Sequence, residues 1–165
     1  MSRRRTGLAA ALSVVVLGQP LVLVSSTALA TGAVLLSTQA ADAQSAEVFF
    51  KRGNAKKKSG DNQGAITDYT KAIETNPQYA AAYYNRGNAK SDLKDYQGAI
   101  ADYNKAIEIN PQYADAYSNL GIAKGIGFND TKGACSDFRK AASLGNEYRI
   151  KYLNSADGAW CRNMR

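Results

Sequence analysis

The chain has 165 residues, 45% of them hydrophobic, enough for one domain of ordinary size with a folded core and a tail. Its 21 Lys and Arg outnumber its 14 Asp and Glu, and the net charge of +7 favours acidic partners or an anionic surface without speaking to the fold. Histidine is absent, which removes the Ser-His and Cys-His nucleophile pairs, the commonest general base and the usual zinc ligand.

Residues 1–43 read as an address. Arg3, Arg4 and Arg5 give a basic start, no charge follows from Thr6 to Ala41, and Ala41-Asp42-Ala43 offers the small-x-small pattern that a signal peptidase cuts. The same stretch is long enough to stay in a membrane as an uncleaved anchor, since a span needs only about 20 apolar residues. The cleavage site is well placed for the first reading. Both readings put the body on the far side of a membrane, in a periplasmic, lumenal or extracellular space. Beyond the leader 18 bases face 13 acids, a balance for which a solvated face is the simplest account.

Residues 46–148 are one unit written three times, over 46–79, 80–113 and 114–148. Gly53, Gly87 and Gly121 lie 34 residues apart; Ala65 and Ala99 keep that spacing, and one inserted residue puts the third counterpart at Ala134. Each unit predicts two antiparallel helices. Asp61, Asp95 and Asp130 stand where the second helix starts and can accept from its open N–H groups. Ala99, Tyr103, Ala106 and Ile107 form its inward stripe. Asn76-Pro77 and Asn110-Pro111 end it, because proline cannot continue a helix; Gly145-Asn146, both tolerant of left-handed backbone, replace them in the third unit. Glycine costs about 1 kcal/mol against alanine inside a helix, so its recurrence at Gly53, Gly87 and Gly121, and again at Gly64, Gly98 and Gly133, implies close approach of the paired helices. Residues 149–165 read as a cap, with Tyr152 in the aromatic place of a fourth unit.

Aromatic, Gly, Ala, aromatic, Ala and Pro in order, at Phe49, Gly53, Ala65, Tyr69, Ala72 and Pro77, resemble the tetratricopeptide repeat. Tyr83, Gly87, Ala99, Tyr103, Ala106 and Pro111 repeat the pattern; Tyr117, Gly121, Ala134, Phe138 and Ala141 follow it until Asn146 takes the proline place. The resemblance implies an all-α, right-handed superhelical solenoid of three helix–turn–helix units with a C-terminal capping helix. It also implies a non-catalytic module that binds a peptide or partner protein in a concave groove lined by the first helix of each unit. The groove positions are Phe50 and Asn54, Tyr84 and Asn88, and Ser118 and Ile122. Phe50 and Tyr84 are aromatic anchors on this reading, or extra core residues on the plainer one.

Some members of that family grip the acidic end of a chaperone with two asparagines and three bases. Asn54 and Asn85 fit the first two places, whereas Phe50, Asp115 and Asn119 stand where bases belong, so that grip is not expected. Lys56-Lys57-Lys58 reads as a solvated helix end and the repeated acids as helix caps. No carboxylate grouping, phosphate loop or metal cluster stands out, so neither an enzyme nor a cofactor nor a nucleic-acid partner is expected. Cys135, in the buried place of Ile66 and Ile100, and Cys161 are two buried thiols or, in an oxidising compartment, a disulfide. The competing function is a membrane-anchored spacer or assembly factor that acts through its basic surface.

Overall fold

Three aspartates open three helices. Through Oδ1, Asp61, Asp95 and Asp130 accept the backbone N–H of Gly64, Gly98 and Gly133 at 2.8–2.9 Å, satisfying a donor that the first helical turn would leave open. The helices so capped are α2 (Asn62–Thr75), α4 (Tyr96–Ile109) and α6 (Thr131–Ser143). Each is preceded by its partner: α1 at 44–58, α3 (Ala80–Asp92) and α5 (Ala114–Phe128). The structure, a computed structural model, describes residues 44–164, and the leader read from the sequence lies outside them. Among the described residues all regular structure is helical, and no helix is long and apolar enough to cross a membrane.

Within each pair the turn passes through one left-handed residue, Gly60 (φ 85°), Lys94 (φ 64°) or Asn129 (φ 53°). Between pairs, α2 and α4 stop at Asn76 and Asn110, both extended as the following prolines require. After α6 only Gly145 is left-handed. Asn146 departs from expectation: its backbone is extended, and its side chain caps α7 (Glu147–Asn154) by accepting from the Arg149 N–H at 2.9 Å.

The core runs as a seam along the stack. Ala65, Ala72, Ala99, Ala106, Ala134 and Ala141 are buried beside Tyr69 and Tyr103, which are at most 1% exposed. The first set of glycines serves this seam. A Cβ on Gly53, Gly87 or Gly121 would come within 2.6–2.7 Å of the ring of Tyr69, Tyr103 or Phe138, so the ring lies where a side chain would have been. The second set does not. A Cβ on Gly64, Gly98 or Gly133 would meet the carboxylate of the capping aspartate; these glycines make room for the cap rather than for a neighbouring helix.

The stack closes with two short helices, α7 and α8 (Ala159–Asn163). α7 ends at Asn154. The second piece, unforeseen from the sequence, folds back to bring Cys161 against Cys135 and Leu153. The Cα atoms of Cys135 and Cys161 are 5.2 Å apart in a disulfide pairing, inside the range such a bond spans.

Candidate functional site

A buried acid crosses the middle of each of the first two helix pairs. Asp68 and Asp102 are 1% and 4% exposed, a position a carboxylate holds only when paired. Arg52 from α1 grips Asp68 with two nitrogens, Nε at 2.8 Å, and Lys56 adds a contact at 2.9 Å. One unit on, Arg86 Nε and Nη2 reach Asp102 at 3.0 and 2.7 Å and Lys90 reaches it at 2.8 Å. Arg86 Nη1 also donates to Thr70 of the preceding unit at 3.1 Å, so the fork stitches two units together. The Arg52 hydrogen bond, helped by Lys56 against the cost of burial, holds the Asp68 carboxyl down at about 2. The repeated acids are therefore more than helix caps, and Lys56 is a pairing residue rather than part of a solvated end.

The third unit keeps the acid and loses the fork. Leu120 stands in the arginine place, and Asp137 meets only Lys124, at 2.7 Å. Burial raises the Asp137 carboxyl above the ordinary range despite that lysine.

Above this seam an amide ladder runs along the first helices. Asn54 Oδ1 accepts from the Tyr69 hydroxyl at 2.7 Å and from Asn85 Nδ2 at 2.9 Å. Thirty-four residues on, Asn88 Oδ1 accepts from Tyr103 at 2.8 Å and from Asn119 Nδ2 at 2.8 Å. Burial pushes the Tyr69 hydroxyl up to about 12 and that of Tyr103 higher still, so both stay protonated donors. The ladder uses the carbonyl ends of Asn54 and Asn88 and the NH2 ends of Asn85 and Asn119. The outer ends of Asn54, Asn85 and Asn119 make no hydrogen bond among the described residues, whereas the Asn88 side chain also reaches the Tyr84 hydroxyl, which accepts from Asn119 Nδ2 at 3.1 Å. In the third unit both members of the rung change together: Phe138 has no hydroxyl and Ile122 no amide.

These residues line two adjoining hollows. One, of about 360 Å³, is bordered by Asn54, Lys57, Lys58, Asn85 and Asn88; the next, of about 220 Å³, by Lys57, Asn88, Asp92, Asn119 and Ile122. Lys57 bridges to Asp92 of the second unit at 2.8 Å, so of the lysine run only Lys58 is an exposed end free of ion pairs. Of the residues assigned to a groove, Asn54, Asn88 and Ile122 border these hollows. Ser118 does not: it is 6% exposed, and its hydroxyl accepts from Arg149 Nε of α7 at 2.7 Å, because the cap covers the place that a ligand would need. Phe50 and Tyr84 border neither hollow. Phe50 packs on Tyr69 and Tyr79, and Tyr84 on Tyr103 and Tyr113, at centroid distances of 4.8–6.0 Å. Phe49 and Phe50 both touch the cluster of Ala72, Ile73 and Ala82. Adjacent helical residues can share that seam because it lies between units, where two helices converge on it.

Two family profiles, described as tetratricopeptide repeat and TPR repeat, match residues 80–113 and 53–93. The matched residues, 53–113, resemble tetratricopeptide repeats in sequence. The third unit lies beyond the matched stretch. Among solved structures, the chain resembles the first tetratricopeptide domain of Spaghetti (RPAP3) bound to the HSP90 peptide SRMEEVD, at 28% identity and TM-score 0.63, covering 74% of this chain and 91% of that one. The second such domain of Spaghetti, bound to the same peptide, is 26% identical with TM-score 0.66 and covers 69% and 97%. The tetratricopeptide domain of Arabidopsis OM64 is 29% identical with TM-score 0.63 and covers 73% and 93%. No curated protein matches the sequence.

Within this repeat framework, the places occupied by Phe50, Asp115 and Asn119 carry no positive charge. Asp115 instead accepts from the Asn146 side chain at 2.7 Å. Among the described residues no cluster of His, Cys, Asp or Glu could hold a metal ion. Sequence reasoning passed over Asp68, Asp102 and Asp137, although their spacings of 34 and 35 residues matched the repeat; acids at helix starts drew the attention instead. It also gave Asn85 and Asn119 no structural part, and the signal there was an Asn recurring 31 residues after Asn54 and after Asn88.

Proposed function

We propose that this chain is a non-catalytic protein-interaction module that binds an extended peptide of a partner protein across Asn54, Asn85, Asn88 and Asn119. The observation that carries the reading is the half-used amide ladder. Intramolecular bonds fix each amide in orientation and leave its outer end to the groove. Asn54 then offers a free NH2 donor, Asn88 one shared with the Tyr84 hydroxyl, and Asn85 and Asn119 carbonyl acceptors, which together complement a peptide backbone. Preorganised groups of this kind hold a ligand with little ordering cost. Spaghetti domains of similar fold are named with a bound peptide, which supports a peptide as the ligand class. The clamp places without bases argue that this chain does not hold an acidic terminus in the two-carboxylate manner, and Lys57 and Lys58 leave room for an acidic residue beside the amides.

The test keeps the ladder and removes the donors. Asn54→Asp with Asn88→Asp retains an oxygen for Tyr69, Asn85, Tyr103 and Asn119 but replaces each outward NH2 with an acceptor. Peptides selected from a display library on the purified protein should bind the double variant at least tenfold more weakly, from the loss of ~1–3 kcal/mol per unmatched bond. Unchanged affinity in a variant with unchanged circular dichroism would sink the groove reading.

We further propose that the module works outside the cytoplasm. The basic–apolar–Ala41-Asp42-Ala43 leader supports this, as does the apposition of Cys135 and Cys161, which an oxidising compartment would bond. Intact mass of non-reduced protein from its host tests both at once: loss of residues 1–43 and of two hydrogens is expected, and a full-length mass with two free thiols would refute it.

A further inference from the structure

Arg149 is a buried cation with no anion. It is 5% exposed, and no carboxylate among the described residues lies within ion-pair distance of it. Its one side-chain hydrogen bond among the described residues is from Nε to Ser118, so Nη1 and Nη2 have no hydrogen-bond partner there. The guanidinium is instead walled by rings, 4.0 Å from the centroid of Phe138, 5.1 Å from Tyr148 and 5.8 Å from Tyr152. Such contacts recover part of what burial takes from a cation, yet burial still lowers the Arg149 pKa. Every other buried charge in the stack has an opposite partner; this one faces a hollow.

That hollow, of about 280 Å³, lies between α5, α6 and α7 and is bordered by Ile122, Gly125, Ile126, Ala134, Phe138 and Tyr152 besides Arg149. Its size is at the lower edge of small-molecule pockets, which run from about 300 Å³ upward and pair an apolar lining with a few placed polar groups. Gly125 keeps it open: a Cβ there would meet only Ala134, at 3.6 Å. Ile126 stands 66% exposed at its rim, an apolar side chain left for an occupant to cover.

We propose that this hollow is a binding site for a small monocarboxylic acid with a branched or aromatic apolar body. The carboxylate supplies the anion that Arg149 lacks, in the two-nitrogen geometry for which a guanidinium is built, and the apolar body fills the space beside Ile122, Ile126 and Phe138. The site needs none of the groove amides.

3-Phenylpropanoate and its amide, 3-phenylpropanamide, are the probes, titrated into the full chain carrying labelled isoleucine methyls. The acid should shift Ile122 and Ile126 while leaving Ile73 unmoved, with a dissociation constant on the order of 0.1–1 mM for so few atoms. The amide should bind at least tenfold more weakly. Arg149→Met should abolish the shifts, and Gly125→Leu, which fills the hollow without touching the arginine, should do the same in a chain that folds. Asn54→Asp with Asn88→Asp should leave the titration intact, which separates this site from the groove. Equal binding of acid and amide would overturn the proposal, as would unchanged shifts at Ile122 and Ile126. If the peptide Gly-Gly-Phe bound and the free acid did not, the site would belong to a chain end and the proposal would fall.

Discussion

The first two units and the third solve one packing problem with different chemistry. In the first two, a buried aspartate is forked by an arginine and backed by a lysine, and a tyrosine hydroxyl is tied to an asparagine. In the third, leucine replaces the arginine, phenylalanine the tyrosine and isoleucine the asparagine, and Cys135 of the unit lies against Cys161 of the cap. The substitutions come in matched sets. Where one partner of a buried polar contact is gone, the other is gone or weakened too, as expected when an unpaired buried group costs more than the pair is worth.

The sharpest way to break this comparison is to remove the acid from each kind of unit. Asp102→Ala leaves Arg86 and Lys90 without their anion and should destabilise the stack by about 3–5 kcal/mol. Asp137→Ala removes a carboxylate already opposed by burial and should cost under about 1 kcal/mol. Urea midpoints of both variants decide it; equal losses would erase the distinction. Next in size is the tie at the open end. If Cys135 and Cys161 are bonded, replacing both by alanine should cost ~3 kcal/mol for a loop of 26 residues. The loss should appear first as faster amide exchange in α6 to α8, with α1 to α4 protected as before.

A smaller effect sharpens the comparison by rewriting one unit as the other. Tyr103→Phe alone removes one donor from Asn88 and should cost ~1 kcal/mol. Adding Asn88→Ile, which copies the third unit, should recover part of that loss, because the apolar pair needs no bond and Asn119 Nδ2, deprived of Asn88, keeps the Tyr84 hydroxyl at 3.1 Å. Thermal unfolding of the single and double variants gives the sign. The last effect is one of pH. The Asp68 carboxyl is depressed to about 2, so its stabilising share is complete above the ordinary value of 3.8 and drains away as pH falls from there through about 2. Asp137 is raised, so the third unit gains stability as pH falls from that raised value toward 3.8. Amide exchange on either side of that value should show α5 and α6 tightening before α1 and α2 loosen.

Most of the fold was legible before any coordinates. The 34-residue spacing of glycine and alanine named the unit, and the cap aspartates and Asn-Pro stops set its helix ends within a residue or two, because local chemistry alone decides those points. The groove was half legible. Asn54, Asn88 and Ile122, picked by register, border the two hollows. Ser118 was lost to Arg149, a contact 31 residues away in the chain that no periodicity within a unit could announce. Phe50 and Tyr84 were assigned to the groove on the angle between neighbouring helical residues; that argument holds for one helix against one surface and fails where a second unit supplies another. The fold-back of α8 had no signal, since the seven residues from Ser155 to Cys161 carry no pattern that fixes a direction.

Tyr79 and Tyr113 close one unit and open the next. Each directly precedes a first helix as its cap residue, and its ring is seated on Phe50 or Tyr84 of the unit it leaves. The repeat boundary read from the sequence is therefore the worst place to divide the protein. A cut between residues 79 and 80 would leave the ring on its seat but part the next helix from its start. The turns at Gly60, Lys94 and Asn129, where the backbone is left-handed and exposed, are the joints at which a segment could be inserted or the chain ends relocated.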